Sequence, residues 1–535
     1  MADELADVLV IGSGAAGGAV TKHLADLGAK VVCLEQGDWT KPDQYPSTRP
    51  DYEIQLHRGA FNFSPNVRRR PEDYPIVATG GNPPDILMFN AVGGSTIHYT
   101  GHFPRFHPSD FRVKTLDGVA EDWPITYQDL ERYYDMNDRE MGVAGLAGDP
   151  ANPPRAPRPT PPLPIGILGD VITKGFDKLG WHWWVSDNAI ISRAYDGRPG
   201  CDLHGKCMFG CSIGSKASTD VTYWPKALRK GAVLKTRARV REITVDTRGR
   251  VQAALYYDRL GKLHEQRARV VVVACNGVGT PRLLLNSKSN LFPQGIANSS
   301  GLVGKNFMLH PFRFLEGVFE ERIDSYDGPF GIPAFSQQFY ETDTSRGFLR
   351  GYTFFLERSF GPLHQAWGGF TSRPVPWGAE HHRVMRRRFP HIIRITVMGE
   401  DLPQEMNRVE LDPNIKDSSG IPAPRVVYSY SANSLKILHH GGAMARRALE
   451  AAGVVEVLDS GVIAPAFHLM GTARMGSDPK SSVVNQWHQA HDVPNLFVVD
   501  GSSFTTGAAV NPTSTIGALA LRCAEGIWDR RREWS

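Results

Sequence analysis

The sequence predicts an α/β protein built on a parallel sheet, and three stretches carry that prediction. Apolar 7–11 runs straight into the turn Gly12-Ser13-Gly14-Ala15-Ala16-Gly17, followed by a helical pattern over 15–27 closed by Gly28 and a second apolar run at 31–34. RARVVVVA at 267–274 reads as a buried, parallel-type strand, with Asn276-Gly277 and a helical pattern over 280–285 after it. The end of the chain repeats this logic: strand 496–499, the turn Asp500-Gly501-Ser502, and an apolar-faced helix over 514–528.

The first of these units is a nucleotide cradle. Gly12 permits a tight turn, Gly14 lets backbone N–H groups approach a pyrophosphate, with Ala16 beside it, and Gly17 lets helix and strand pack closely. The helix N-terminus adds partial positive charge. Glu35 stands 18 residues after Gly17, placed to accept hydrogen bonds from a ribose hydroxyl. A Rossmann-like βαβ unit for a dinucleotide follows, and the acid favours FAD or NAD over NADP.

Composition sets the outer limits. The 535 residues suffice for two or three domains, and 41% hydrophobic with 22% charged residues is ordinary for a globular protein. A net charge of +4 predicts neither a nucleic-acid footprint nor a membrane patch. The basic runs at 68–70, 386–388 and 530–532 read as solvated surface. No apolar run is long enough to span a bilayer, so no direct membrane insertion is expected. The first strand begins within ten residues of Met1, which leaves no room for a signal peptide. The expectation is cytoplasmic, with export alongside a signal-bearing partner subunit left open.

Between the ends the pattern is less regular. Pro-rich 152–164 reads as an extended linker. Segments 233–240 and 251–257 read as strands. Segment 360–377 is glycine- and aromatic-rich and reads equally as a lid or as packing. Cys33, Cys275 and Cys523 read as core thiols, while Cys201, Cys207 and Cys211 crowd into CDLHGKCMFGC.

Several spaced motifs together resemble the glucose-methanol-choline (GMC) oxidoreductases, an FAD family, from end to end of the chain. They are GSGAAGGAV with Glu35, Val92-Gly93-Gly94-Ser95-Thr96, Asp122-Trp123-Pro124-Ile125 with Leu130 and Tyr133, ACNGVGTPRLL at 274–284, Val303-Gly304-Lys305-Asn306 with His310-Pro311, and 495–518. SRAYDGRPGC at 192–201, the cysteine spacing and the 93–99 loop are most similar to bacterial FAD-dependent sugar and polyol dehydrogenases. FAD is therefore preferred over NAD. The resemblance implies an antiparallel substrate-side sheet with helices, and cofactor contacts at Gly93, Gly94, Ser95, Val240, Asp500 and Gly501. It also implies a discontinuous FAD-binding part at 1–40, 80–110, 195–310 and 455–535, with 111–194 and 311–454 on the substrate side.

The same resemblance places a base at His468 and its partner at Asn511. Alcohol oxidation needs a group to take the hydroxyl proton as hydride leaves carbon, and imidazole suits that task near neutrality. Asn511 would hold the substrate oxygen and contact the flavin. His102 and His310 are secondary candidates, His310 being read as packing near the flavin. The loop around His98 is similar to that of pyranose oxidases, whose histidine bears a covalent flavin, so both a covalent link and simple contact are open. The spacing C-x5-C-x3-C is that of a three-iron cluster in a bacterial FAD-dependent glucose dehydrogenase subunit. That makes Cys201, Cys207 and Cys211 candidate iron–sulfur ligands, with disulfide pairing or packed thiols as alternatives.

The expected function is FAD-dependent oxidation of a hydroxyl of a sugar, glycoside or polyol to a carbonyl. Electrons would pass to oxygen, a quinone-like dye or a partner redox subunit. A non-sugar alcohol, a non-redox lyase and an electron-transfer subunit on the same fold are the alternatives.

Overall fold

A computed structural model describes residues 4–57, 71–328 and 331–534; the basic run 68–70 lies outside them. Its main sheet is parallel in the order Val233–Lys235, Val31–Leu34, Ala6–Ile11, the C-terminal half of Leu263–Val273, and Leu496–Val498. The long strand Leu263–Val273 changes sheet environment along its length. Burial alternates through its first half, which pairs antiparallel with Val251–Tyr257, and becomes continuous over its last four valines, which sit between two parallel neighbours. One-sided and two-sided burial are both written in the residues.

Two local differences from the sequence reading have clear causes. The strand expected at 233–240 is broken into Val233–Lys235 and Arg239–Val245, with Arg237 left-handed at φ 53° between them. The chain bends there around Glu35, whose N–H donates to Lys235 O and whose carbonyl accepts from Ala238 N. The helix expected from residue 280 starts earlier, spanning Asn276–Asn286. Asn276 Oδ1 accepts from the N–H groups of Val278 and Gly279, satisfying first-turn donors from within. Pro281 cannot donate to Gly277 O, and the hydroxyl of Thr472 takes that acceptor at 2.8 Å. A Cβ on Gly277 would lie 2.5 Å from the carbonyl of Leu469, so helix and loop touch backbone to backbone.

The second sheet has six antiparallel strands in the order Glu456–Asp459, Phe312–Val318, Ile392–Gly399, Tyr352–Glu357, Ala334–Ser336 and Trp184–Val185. Every residue of Tyr352–Glu357 and Ile392–Gly399 is buried, because both faces are covered. Leu315, Phe354, Leu356, Ile395 and Val397 point to one side, into a core shared with the helices Gly166–Leu179 and Ala432–Ala452. Phe312, Phe314, Phe355, Glu357, Arg394 and Thr396 point to the other, into a cleft. The strand period of two thus divides each strand between core and site. Among the described residues no helix is long and apolar enough to cross a membrane.

Candidate active site

The cleft has a volume of about 2160 Å3, counting its open mouth, and runs from the glycine turn to the second sheet. At one end Gly12 (φ 97°) carries its hydrogen where a Cβ would lie 2.3 Å from Ala274 O, and a Cβ on Gly17 would lie 1.9 Å from Gly12 O. Both positions are closed to a side chain by protein backbone. Gly14 differs, since a Cβ there would meet only Gly94 Cα at 3.9 Å. Its side faces the cleft, as does Ala16. The helix Ala15–Asp26 begins without a side-chain cap or an acidic residue in its first turn, which leaves its end amides to a ligand.

Glu35 is buried at this end, one oxygen accepting from the amide and hydroxyl of Ser13 (3.0 and 2.7 Å), the other from Gly37 N at 2.6 Å. Val240, Gly94, Ser95, Asp500 and Gly501 line the cleft too, whereas Gly93 lies behind it, with a Cβ there 2.9 Å from Asp220. Asp500 accepts from Ser502 N, Asn276 N and Thr280 Oγ1, tying the ends of two central strands together.

At the other end His468 and Asn511 come together as expected, and the structure adds His310 and His102 to them. Reciprocal backbone hydrogen bonds join Met308 and Met470 as an antiparallel pair, so residues 310 and 468 face each other two places along. Their Nδ1 atoms are 2.7 Å apart. Asn511 precedes Pro512 at the start of the helix Thr513–Asp529; its Nδ2 is 3.3 Å from His468 Nε2, and its Oδ1 is 2.8 Å from His102 Nδ1.

Proton positions follow from the partners. His310 Nε2 faces two carbonyls, Ala508 O at 2.8 Å and Gly507 O at 3.2 Å, so it carries a hydrogen. Burial holds His310 down at about 4 and pushes His468 well below 6.5, with His310 and His102 adding to the latter, so the rings are neutral. His310 Nδ1 is then an acceptor, and His468 Nδ1 donates to it. The lone pair of His468 therefore sits on Nε2, which accepts from the Asn511 amide. Asn511 Oδ1 in turn accepts from His102 Nδ1, and His102 Nε2 is buried without a partner among the described residues. An imidazole held this way is ready to take a proton from a hydroxyl group, and the adjacent amide can donate to the same oxygen.

His98 also lines the cleft. Its Nδ1 donates to Met208 O at 2.8 Å, and burial lowers its pKa to about 4. The cysteine cluster departs from expectation. All six cysteines are free, which removes the disulfide alternative. Cys207 packs with Phe209 and Phe360, Cys201 flanks that apolar cluster, and Cys211 Sγ accepts from Lys216 N at 3.4 Å. Burial first, and lesser effects of the neighbouring Cys207 and Cys211 thiols, raise Cys201 to about 12, so Cys201 is a protonated, packed thiol beside the other two. Among the described residues no three His, Cys, Asp or Glu side chains converge to hold a metal. The structure thus gives no support to an iron–sulfur cluster at Cys201, Cys207 and Cys211.

Sequence reasoning did not find Glu357, Arg394 and Thr396. They lie on strands of apolar character, where Glu and Arg inside a doubly buried run were the available signal. Segment 360–377 forms a short helix, Pro362–Ala366, and a turn that lays Phe370 against the cleft and under Arg394.

Two family models, both described as GMC oxidoreductase, match residues 161–312 and 403–520. The chain belongs to the GMC oxidoreductase family. It is 47% identical over 528 residues to 2-methyl-1,2-propanediol dehydrogenase of Mycolicibacterium austroafricanum, covering 97% of this chain and 95% of that protein. It is 30% identical to the fructose dehydrogenase large subunit of Gluconobacter japonicus, with 98% and 97% covered, and 29% identical to paromamine 6'-oxidase of Streptomyces fradiae, with 98% and 92% covered. In fold it matches a formate oxidase crystal structure over the full length of both chains, with a TM-score of 0.70 at 15% identity. The chain is an alcohol oxidoreductase, and its family implies FAD, which a further structural neighbour, formate oxidase of Aspergillus oryzae, carries.

Proposed function

We propose that this GMC oxidoreductase oxidises a hydroxyl group of a small polyol or sugar-like alcohol to a carbonyl, with His468 as the base. The observation that carries the reading is the directed hydrogen bond from His468 to His310, which leaves His468 Nε2 as a lone pair beside the Asn511 amide. Residues that would hold FAD fit it: the Gly12–Gly14–Gly17 turn with its uncapped helix receives the diphosphate, Glu35 the adenosine ribose, and Val240 the adenine through its backbone. The flavin end would lie along Gly94, Ser95, His98 and Asp500-Gly501, toward His468. When bound, the flavin supplies a hydride acceptor.

The chain's own contributions are positional and protonic. His468 Nε2 takes the hydroxyl proton, Asn511 Nδ2 donates to the oxygen as negative charge gathers there, and the phenylalanines of the second sheet exclude water. A nucleotide-holding part at 1–40, 80–110, 195–310 and 455–535 with a substrate side at 111–194 and 311–454 belongs to the same proposal. His98 contacts the flavin without a bond to it. Electrons leave to oxygen, a quinone-like acceptor or a partner redox subunit.

The 47% identical relative is named for a branched diol, which favours a small polyol over a large glycoside. The test is an anaerobic spectrum of the purified holoprotein before and after a panel of diols and sugars. Bleaching of the flavin band without added NAD is expected; a protein that takes up no flavin, or whose flavin stays oxidised with every alcohol, overturns the reading. Colour that remains with acid-precipitated protein would replace the contact at His98 with a covalent link.

A further inference from the structure

The cleft wall opposite the glycine turn is aromatic except for one built polar group. Glu357 Oε2 is held by Arg394 Nε at 3.0 Å and Nη2 at 2.9 Å, and accepts also from the hydroxyl of Thr396. These three side chains line the cleft, with the guanidinium stacked 3.3 Å from the Phe370 ring centroid. All the bonds fall on one carboxylate oxygen. Glu357 Oε1 makes none among the described residues, and its side chain, 9% exposed against 3% for Arg394, lines the cleft, whereas Arg394 Nη1, likewise without a partner, is fully buried. The arrangement therefore offers a ligand an acceptor and withholds its cation. Thr371 fixes a second carboxylate, Glu316, from behind, and Glu316 is the cross-strand neighbour of Arg394. The strapped-down Glu357 is rigid, since Arg394 also pairs with it across Tyr352–Glu357 and Ile392–Gly399.

Register places this acceptor relative to the reacting groups. Phe355 touches His102, the partner of Asn511, at a ring-centroid distance of 4.8 Å. Glu357 is two residues further along the same strand face, about 7 Å away at the rise of a β-strand. Phe355 stands between Glu357 and the reacting pair, so a second hydroxyl reaching Glu357 is separated from the reacting one by several carbons, with aromatic walls beside that chain.

The geometry points to Glu357 as the anchor for a second, distant hydroxyl of the substrate, so that the site takes longer neutral diols and polyols and discriminates against simple alcohols and hydroxy acids. This rests on the alcohol-oxidising reading of the cleft. A hydroxyl donates to Oε1 and lets the carboxylate keep its other bonds, a methyl group leaves Oε1 desolvated and unpaired, and an added carboxylate brings like charge against it.

The test uses the purified FAD-loaded protein and three compounds of one carbon skeleton: a branched diol with its hydroxyls several carbons apart, the mono-alcohol with methyl in place of the second hydroxyl, and the hydroxy acid. Anaerobic flavin reduction gives kcat/KM for each. The diol is expected to exceed the mono-alcohol by about 100-fold or more, with the hydroxy acid lower still. In Glu357→Gln, checked by its flavin spectrum, the diol-to-mono-alcohol ratio is expected to fall to within about tenfold. Equal rates with diol and mono-alcohol in the unaltered protein overturn the anchor while leaving the alcohol-oxidising reading intact, and so does a hydroxy acid preferred over the diol, which would assign recognition to Arg394. Reduction by none of the three or by any other alcohol defeats the parent reading and the anchor with it. The comparison in the unaltered protein decides even if Glu357→Gln does not fold.

Discussion

His310 and His468 meet Nδ1 to Nδ1 at 2.7 Å, and only one of the two nitrogens can carry the proton between them. The carbonyls of Gly507 and Ala508 settle which, by occupying the far nitrogen of His310. His468 is thus oriented by a ring 158 residues away that does not line the cleft.

On the proposed reading, replacing His468 removes proton abstraction but no part of the glycine cradle. His468→Ala is expected to retain its flavin spectrum and to slow anaerobic flavin reduction by about two or more orders of magnitude. Stopped-flow absorbance checks both; reduction at an undiminished rate would exclude His468 as the base.

In the proposed mechanism His310 is a positioning residue. In His310→Ala the ring of His468 loses its acceptor, so a mixture of tautomers should replace the single productive one. Reduction is expected to slow by about 10- to 100-fold, with the acid limb of the kcat/KM profile moved upward. A change in rate with an unmoved pH profile would mean simple loss of packing.

On the same proposal, Asn511→Ala removes a donor to the oxygen on which charge develops. A fall in kcat of about 100- to 1000-fold with a smaller change in KM is expected, as for loss of one such donor elsewhere. His102→Phe, which frees the Asn511 amide to turn over, should reproduce part of that loss.

Buried neutral imidazoles make the fold sensitive to acid. His98, His102 and His310 are each lowered from 6.5 to about 4 by burial, and His468 further. Below pH 6.5 the unfolded chain binds protons that the folded protein refuses, so stability falls as pH drops from 6.5 toward about 4 and is flat above that window as far as these groups are concerned. Thermal melts across that range should show a steadily falling Tm; a level Tm would mean the rings are solvated or already charged.

Gly17→Ala would set a methyl 1.9 Å from Gly12 O. Helix and strand must separate, at a cost of about 1–3 kcal/mol, and the cradle opens with them. A lower ratio of flavin to protein absorbance and a lower Tm are expected together.

The amino-acid sequence alone determined the parallel core, because two-sided burial of VVVV at 270–273 and the glycine turn at 12–17 are properties of consecutive residues. It marked His468 and Asn511 through motif context. Tertiary structure decided what those two side chains can do. Their partners come from 158 and 409 residues away, and a hydrogen bond's direction depends on what occupies the far side of each ring. The cysteine cluster was left undecided for the same reason: spacing along a loop says how far apart thiols are in sequence, while convergence on a metal depends on where the packed core lets each sulfur point. Glu357 and Arg394 stayed hidden because strands buried on both faces lack the alternation that separates a wall of the core from a wall of the cleft.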